Sequence, residues 1–241
     1  MERHAITFPI RPGSEAEVTR ILSGYAPPRT AIDETTRLLA TSVFLWRSRV
    51  VRVMDVEGML PVVMRHLSQD PSIRAVEEEI NPHLAEPRDL ANPEAARAFF
   101  ARSLMRRIAH RVTDPADLPA GGGRTRVALR YPVRAGCGDQ AAEILAGGSA
   151  LPVRAAEGTA LASTTVFQQG DLLIRMAEFA GDVDEAGNHL GRKVTGAPGM
   201  AQLAPLLEPG YDLTTAAGFE RFFAEQRLTL VTTRRAEEAV R

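Results

Sequence analysis

Apolar and polar residues along the first half of the chain follow two alternating periods, one typical of strands and one typical of helices. Alternation over residues 4–11 predicts a strand, and Ser14 is placed to cap a helix that ends at Gly24. Two apolar stretches, residues 38–47 and 49–57, predict a pair of strands joined by a tight turn. The predicted order so far is strand, helix, strand, strand.

The next stretch has helical spacing of its apolar residues until a last strand. Residues 61–69 and 72–84 predict helices, and residues 92–101 predict a short helix with Pro93 in its first turn. Residues 102–111 predict the final strand. The complete order is β-α-β-β-α-β with an extra helix before the last strand, which is the order of a ferredoxin-like α+β unit.

The second half of the chain repeats the first at a constant shift of 123 residues, without a gap. Phe-Pro-Ile-Arg-Pro-Gly at residues 8–13 falls on Tyr-Pro-Val-Arg-Ala-Gly at residues 131–136. Identical residues also meet at single positions, among them Arg52 with Arg175, Gly58 with Gly181, and His66 with His189. A register held over this length indicates a tandem duplication.

The duplication predicts the domain organisation. Residues 1–112 form the first ferredoxin-like repeat and residues 125–235 the second, joined by a Pro/Gly-rich linker at 113–124 and followed by a polar tail at 236–241. One such unit leaves a sheet face without helices, and two units can bury those faces together. We therefore expect an α+β protein whose tandem units form an intramolecular dimeric α/β barrel, either as a monomeric pseudo-dimer or as a homodimer.

Composition excludes several partners. The chain has 29 basic and 30 acidic residues and a formal net charge of −1, so nothing favours nucleic acid or an anionic membrane as a partner. No apolar run is long enough to cross a bilayer. The single cysteine, Cys137, cannot form an intrachain disulfide, and a cytoplasmic location is expected.

Motifs for metals and cofactors are absent from the sequence. The five histidines are scattered, and one cysteine cannot build a thiolate cluster, so no metal site is expected. The glycines at 121–123 lie in the linker and not between a strand and a helix, so no dinucleotide fingerprint is present. We therefore expect no cofactor.

Arg52 and Arg175 are the clearest candidates for catalysis, because each stands in a strand made otherwise of Val, Leu, Ile and Met. A buried guanidinium requires a carboxylate, a carbonyl or a ligand oxygen. Asp55 and Glu178 follow three residues later and are predicted on the opposite sheet face. Two interpretations stay open: the arginines hold an anionic substrate, or they close the barrel through acidic partners.

Histidines and aromatic residues complete the candidate site. His66 and His189 share one repeat position and are either surface residues or general bases that line a pocket. Trp46 shares a strand face with Phe44 and is either core or a stacking wall for a flat ligand, with Gln169 as its repeat partner. Further candidates for substrate binding are polar or aromatic replacements between the repeats, namely Asn81, His83 and Tyr131. These replacements predict that the two repeats differ in function.

Four segments carry a resemblance to a known family. They are Arg-His-Ala-Ile-Thr-Phe at 3–8, Leu-Leu-Ala-Thr-Ser-Val-Phe at 38–44, Val-Arg-Val at 51–53 and Pro-Glu-Ala-Ala-Arg-Ala-Phe-Phe at 93–100. On these, nearly the whole chain resembles the SchA/CurD-like family, whose members accompany aromatic polyketide clusters for spore pigments and pentangular antibiotics and often carry two domain copies. The resemblance implies an aromatic polyketide intermediate as ligand and other pathway proteins as further partners.

A weaker resemblance covers part of the first repeat. Residues 42–56 and 70–84 are similar to the tetracenomycin-type polyketide cyclases. Asp70 stands where those cyclases have a histidine before proline, and Arg88 or no residue matches their terminal tyrosine, so their catalytic residues do not carry over. The same barrel also serves cofactor-free monooxygenases that oxidise anthrone-like polyphenols to quinones.

Three functions follow as expectations. The first is a cofactor-independent monooxygenase that oxidises a polycyclic phenol or anthrone-like intermediate to a quinone, with Arg52 or Arg175 holding the phenolate, a histidine taking the proton and Trp46 stacking on the rings. The second is an aromatic polyketide cyclase that closes a ring by aldol condensation. The third is a non-catalytic polyketide-binding partner.

Overall fold

The computed structural model describes residues 1–25, 31–89, 92–119, 123–147, 160–181 and 198–236. The strands are β1 Glu2–Pro9, β2 Arg37–Trp46, β3 Arg49–Glu57, β4 Leu104–Val112, β5 Arg124–Pro132, β6 Ala160–Gln169, β7 Leu172–Ala180 and β8 Thr229–Arg235. The helices are α1 Glu15–Gly24, α2 Leu60–Gln69, α3 Pro71–Ile80, α4 Pro93–Ser103, α5 Gly138–Gly147, α6 Pro198–Leu203 and α7 Ala216–Gln226.

The chain divides into two compact units. The first unit comprises Met1–Met105 and Thr229–Arg241, and the second comprises Arg106–Leu228. Within the first unit the strands pair antiparallel in the order β1-β3-β2-β8. Within the second unit they pair in the order β5-β7-β6-β4. Each unit therefore has a four-stranded antiparallel sheet. Helices α1–α4 belong to the first unit and α5–α7 to the second.

The last strand of each sequence repeat pairs in the other unit. Strand β4 ends the first repeat and pairs with β6, whereas β8 ends the second repeat and pairs with β2. This exchange is the hydrogen-bonding pattern of a dimeric α/β barrel. Because the two repeats are fused in one chain, the strands pair at high effective concentration. The predicted fold class of duplicated ferredoxin-like α+β units is confirmed.

One face of each sheet packs against helices. In the first unit, Arg52 lies directly opposite Ile6 on β1 and Val43 on β2, and both of these belong to the hydrophobic core shared with α1–α4. In the second unit, Arg175 lies opposite Leu129 and Val166, which belong to the corresponding core. Because directly paired residues share a face, both arginines point to the helix-covered side of their sheet.

The other face of each sheet carries a buried ion pair. Arg3 and Asp55 are 0% and 3% exposed, and their Nε and Oδ1 atoms lie 2.6 Å apart. Arg126 and Glu178 occupy the same repeat positions, with a distance of 3.5 Å between Nε and Oε1. The prediction that Asp55 faces away from Arg52 therefore agrees with the register, and the acid's partner is Arg3.

The predicted start of α1 differs in detail from the structure. The Ser14 side chain caps no backbone N–H of α1, so the cap predicted there is not formed. Its hydroxyl instead lies 3.3 Å from Nδ1 of His83. Ser14 therefore contacts a residue far away in sequence and not an amide of α1, which sequence spacing alone does not predict.

Asp70 lies between α2 and α3. The sequence also predicts two separate helices here, over residues 61–69 and 72–84. The Asp70 carboxylate accepts hydrogen bonds from the Ser72 hydroxyl at 2.6 Å and from the Ser72 amide at 2.8 Å. The Ser72 hydroxyl is the main cause that lowers the pKa of Asp70, and the amides of Ser72 and Ile73 lower it further. Asp70 is therefore the N-cap of α3.

Replacing Asp70 with alanine is expected to lower the free energy of unfolding by about 1 kcal/mol at neutral pH. Because the pKa of Asp70 is lowered in the folded state, its contribution is present above the unfolded value of about 3.9 and is lost as the pH falls through the folded value. Urea denaturation across this pH range measures the effect. Asp70→Asn, which keeps a capping oxygen, is the control, and an equal loss in both variants would contradict the assignment.

The linker and the tail are described in part. A single 3-10 turn, Pro115–Asp117, lies in the linker, and Asp114 caps it through the Ala116 amide. The tail beyond residue 236 lies outside the described residues. Within the described part of the chain, no helix has the length and apolar character needed to cross a membrane.

Candidate functional site

Arg175 in the second unit is a buried guanidinium that has no counter-charge among the described residues. Its residue is 4% exposed, on the helix-covered face of β7. Among the residues that the structure describes, no group accepts a hydrogen bond from its Nε or Nη2, and no carboxylate lies within ion-pair distance. Burying an unpaired charge is costly, so a site of this kind suits an anion that enters with a ligand.

An aromatic ring lies beside the Arg175 guanidinium. The guanidinium carbon Cζ lies 5.7 Å from the centroid of the Tyr131 ring, so the structure brings these two predicted site residues together. The Tyr131 ring lies 5.3 Å from that of Phe222, which in turn lies 5.8 Å from that of Tyr211 in an edge-on contact. A chain of three rings thus extends from the buried cation into the hydrophobic core of the second unit.

Tyr211 is part of a hydrogen-bond network in the second unit. Its hydroxyl donates to Oε2 of Glu225 at 2.8 Å and accepts from Nε2 of Gln226 at 2.6 Å. Burial raises the pKa of Tyr211, and the hydrogen bond to Glu225 raises it further. Tyr211 therefore stays protonated and fixes the position of its ring against Phe222.

Arg52 occupies the corresponding position in the first unit, and its surroundings differ. Its Cζ atom lies 5.9 Å from the centroid of the Tyr25 ring. Arg234 of β8 also contacts Tyr25, and its Cζ lies 3.8 Å from the ring centroid. Within the described residues Arg52 has no hydrogen-bond acceptor or carboxylate partner, and the ion pairs on the other sheet face join Arg3 to Asp55 and Arg126 to Glu178. The alternative that Arg52 and Arg175 close the barrel through acidic partners stays a prediction.

Arg88, which sequence patterning did not single out as a site residue, lies in the same part of the first unit. Its guanidinium lies 4.2 Å from the Phe99 ring centroid and 3.4 Å from the Glu77 carboxylate. Burial lowers the pKa of Arg88, Glu77 opposes this, and the positive charges of Arg52 and Arg102 lower the pKa further. Three guanidinium groups therefore share one neighbourhood.

Asn81 positions the loop that carries Arg88. Its Oδ1 accepts from the Arg88 amide and its Nδ2 donates to the Arg88 carbonyl, both at 2.9 Å. Asn81 was predicted to bind substrate, and its amide is instead engaged with this backbone. The signal in the sequence was the contrast with Ala204 in the second repeat, which identified a special position but not its role.

The three candidate histidines have separate surroundings. His66 lies on α2, and its buried Nε2 atom has no hydrogen-bond partner among the described residues. His83 lies in a 3-10 turn and contacts Ser14. His189 lies outside the described residues. None of the described contacts joins His66 or His83 to Arg52, so the structure does not assemble an arginine–histidine pair in the described part of the first unit.

Phe44, Trp46 and Gln169 lie away from the two arginines in their sheets. Phe44 is fully buried and pairs with Val51, so it faces the side of the sheet opposite to Arg52. Trp46 ends β2 and is covered by the Arg47 guanidinium at 4.6 Å from its ring. Gln169 ends β6 at the corresponding position. Phe44 and Arg52 therefore lie on opposite faces of the sheet, because side chains alternate along a strand.

Arg111 and Arg234 share a repeat position and have a structural role that the sequence pattern did not predict. Nη2 of Arg234 donates to the Ser23 carbonyl at 3.0 Å, and Nη2 of Arg111 donates to the Ala146 carbonyl at 3.0 Å. Each arginine comes from the exchanged strand of its unit and caps the C-terminal end of a helix. The identity of Arg111 and Arg234 under the 123-residue shift was the available signal.

Comparison with known proteins identifies the family. A family model for the SchA/CurD-like domain matches residues 1–113 and again residues 124–236. A 42.8 kDa protein in the whiE locus of Streptomyces coelicolor is 41% identical over 97% of this chain and 59% of its own length. Polyketide synthase CurD of Streptomyces cyaneus is 40% identical over 98% of this chain and 64% of its own length. The chain thus spans about three fifths of these relatives.

A solved structure supports the fold. The crystal structure of a candidate monooxygenase from Fusobacterium nucleatum superposes with a TM-score of 0.51 and covers 97% of this chain and 93% of its own. The two sequences are 9% identical, so this likeness concerns the fold alone. The family resemblance drawn from four sequence segments is confirmed by both repeats, and the chain belongs to the SchA/CurD-like family, of which it carries two tandem domains.

Proposed function

We propose that this chain is a tailoring enzyme of aromatic polyketide biosynthesis that oxidises a phenolic, anthrone-like intermediate to a quinone without a cofactor. The proposal places the reaction in the second unit. The observation that carries it is Arg175, a 4% exposed guanidinium with no described acceptor for its Nε and Nη2 and with Tyr131 beside it. The names of the polyketide-pathway relatives support the substrate class.

The chemistry needs an anion, a cation that holds it and a site that excludes water. A base removes a proton from the anthrone, and Arg175 holds the resulting phenolate oxygen. The anion transfers one electron to O₂, and the two radicals combine to form a C–O bond. Protonation of the peroxide and loss of the remaining C–H proton break the O–O bond. The net change converts a CH₂ group and O₂ into a carbonyl group and one water.

The remaining candidates take supporting roles in this proposal. His189 is the proposed base because it belongs to the second repeat, and His66 is its counterpart in the first. Tyr131 and Tyr211 supply ring surfaces for the substrate, and the Glu225 and Gln226 hydrogen bonds hold Tyr211 in place. Trp46 at the end of β2 and Gln169 at the end of β6 stay predictions as ligand contacts, each within its own unit.

Oxygen uptake by the full chain with an anthrone as substrate tests the proposal. We expect one O₂ consumed for each quinone formed, without added metal, flavin or nicotinamide, and no turnover under anaerobic conditions. Turnover at the same rate without oxygen would exclude the oxygenase. Ring closure of a poly-β-ketone under anaerobic conditions would identify a cyclase instead, and binding without turnover in either atmosphere would identify a non-catalytic partner.

A further inference from the structure

We propose a second ligand site, in the first unit, that binds a flat aromatic carboxylate through the guanidinium groups of Arg52 and Arg88 and through the rings of Tyr25 and Phe99. This site is separate from the proposed oxidation site, because all four residues belong to the first unit and Arg175 belongs to the second. It is an anion-binding site and does not require that the chain be an oxygenase.

Side chains of β1 on the helix-covered face lie between Arg52 and the ring of Phe99 that Arg88 contacts. Arg52 pairs with Ile6, and Phe8 is the next residue on the same face of β1. The ring of Phe8 lies 5.6 Å from that of Phe99, and the Arg88 guanidinium lies 4.2 Å from Phe99. Arg52 and the Phe99 ring that Arg88 covers therefore belong to one helix-covered face. The positive charge of Arg52 also lowers the pKa of Arg88.

Among the described residues, Arg88 has one acidic partner and one buried nitrogen without an acceptor. Glu77 is the carboxylate that pairs with Arg88, and its side chain is 35% exposed. Arg102 also lies over Phe99, at 5.2 Å, and its described acidic partner is Glu86 at 3.6 Å. The Arg88 side chain is 11% exposed, and its buried Nε atom has no acceptor among the described residues. A ligand carboxylate would relieve the repulsion between Arg52 and Arg88 and accept from Nε.

Arg88 and Tyr25 are both held in place, so the site is rigid on two sides. The side-chain amide of Asn81 brackets the Arg88 backbone with two hydrogen bonds. Arg234 holds Tyr25 by stacking on its ring at 3.8 Å and by donating to its carbonyl at 2.5 Å. Positioning of this kind lowers the entropy lost when a ligand binds.

The second repeat lacks these features at the matching positions. Tyr211 replaces Arg88, Ala204 replaces Asn81 and Glu225 replaces Arg102. An aromatic ligand with a neutral or phenolic edge suits the second unit, whereas the first unit selects a carboxylate. The two repeats thus differ in ligand chemistry as well as in sequence.

Isothermal titration calorimetry of the full chain with 2-naphthoate, and with its neutral analogue 2-naphthamide, tests the site. We expect 2-naphthoate to bind at least about tenfold more tightly than 2-naphthamide. Arg88→Gln and Arg52→Gln should each weaken 2-naphthoate binding about tenfold or more, whereas Arg97→Gln, which removes an exposed arginine from α4, should leave it unchanged.

Further arms of the titration separate this site from the alternatives. Arg175→Met should retain 2-naphthoate binding, and a loss confined to Arg175→Met would place the ligand in the second unit and overturn the proposal. Equal affinity for 2-naphthoate and 2-naphthamide would also overturn it, and this comparison needs the wild-type chain alone. Tighter binding of inorganic phosphate than of 2-naphthoate would show a general anion site and would contradict the aromatic carboxylate.

Discussion

Arg175→Met is expected to raise the free energy of unfolding by about 1–3 kcal/mol, because it removes a buried charge that has no described partner and keeps the side-chain volume. The same change is expected to lower kcat for oxidation by about 100-fold or more, since the phenolate then loses its buried cation. Stability and activity are therefore expected to move in opposite directions, because the buried charge costs stability and holds the substrate anion.

Urea denaturation and oxygen uptake, measured on the same preparation of Arg175→Met, check both parts. Arg52→Met is the matched control in the first unit, where it should leave the oxidation rate within about twofold of the wild type, because Arg52 lies in the proposed carboxylate site. A marked loss of stability in Arg175→Met would show that Arg175 has a structural partner. Equal losses of activity in the two variants would show that the units do not differ in function.

Arg3→Met is expected to have the largest effect on stability, a loss of about 3–5 kcal/mol in the free energy of unfolding. Arg3 is fully buried, and its guanidinium donates to both carboxylate oxygens of Asp55, at 2.6 and 3.1 Å. Removing the arginine leaves the buried carboxylate without this counter-charge. Urea denaturation at neutral pH measures the loss.

The double variant Arg3→Met, Asp55→Leu is the control for this prediction. Replacing both charges by apolar residues should restore most of the lost stability. Burying an apolar pair of similar volume has no desolvation cost that an ionic attraction would have to offset. Arg126→Met should cost less than Arg3→Met, since its distance to Glu178 is 3.5 Å. A double variant as unstable as Arg3→Met alone would indicate that packing, and not charge, causes the effect.

The repeat and its elements could be predicted from sequence because they depend on local periodicity. Strands β2 and β3 were predicted to within a residue, and the hairpin turn at Arg47 has the left-handed backbone that Gly170 adopts at the same repeat position. The exchange of β4 and β8 between the repeats was not predicted, because it depends on pairing between strands far apart in sequence.

Partners across strands could not be predicted, because they depend on register between segments far apart in sequence. Asp55 was correctly expected on the face opposite to Arg52, yet its partner Arg3 lies 52 positions away and was not identified. Arg88 was missed for a related reason. It lies in a loop without periodicity, and the amide of Asn81, seven positions away, holds it in place.

The ionisation state of a bound phenol tests the central claim most directly. Anaerobic titration of 1-naphthol into the full chain, at a pH well below the pKa of the free ligand, reports by its absorption whether the bound molecule is neutral or a phenolate. With Arg175 as the buried cation, the wild-type complex should show the phenolate spectrum and the Arg175→Met complex the neutral one. A neutral spectrum in the wild-type complex, or the same phenolate fraction in both complexes, would contradict the account.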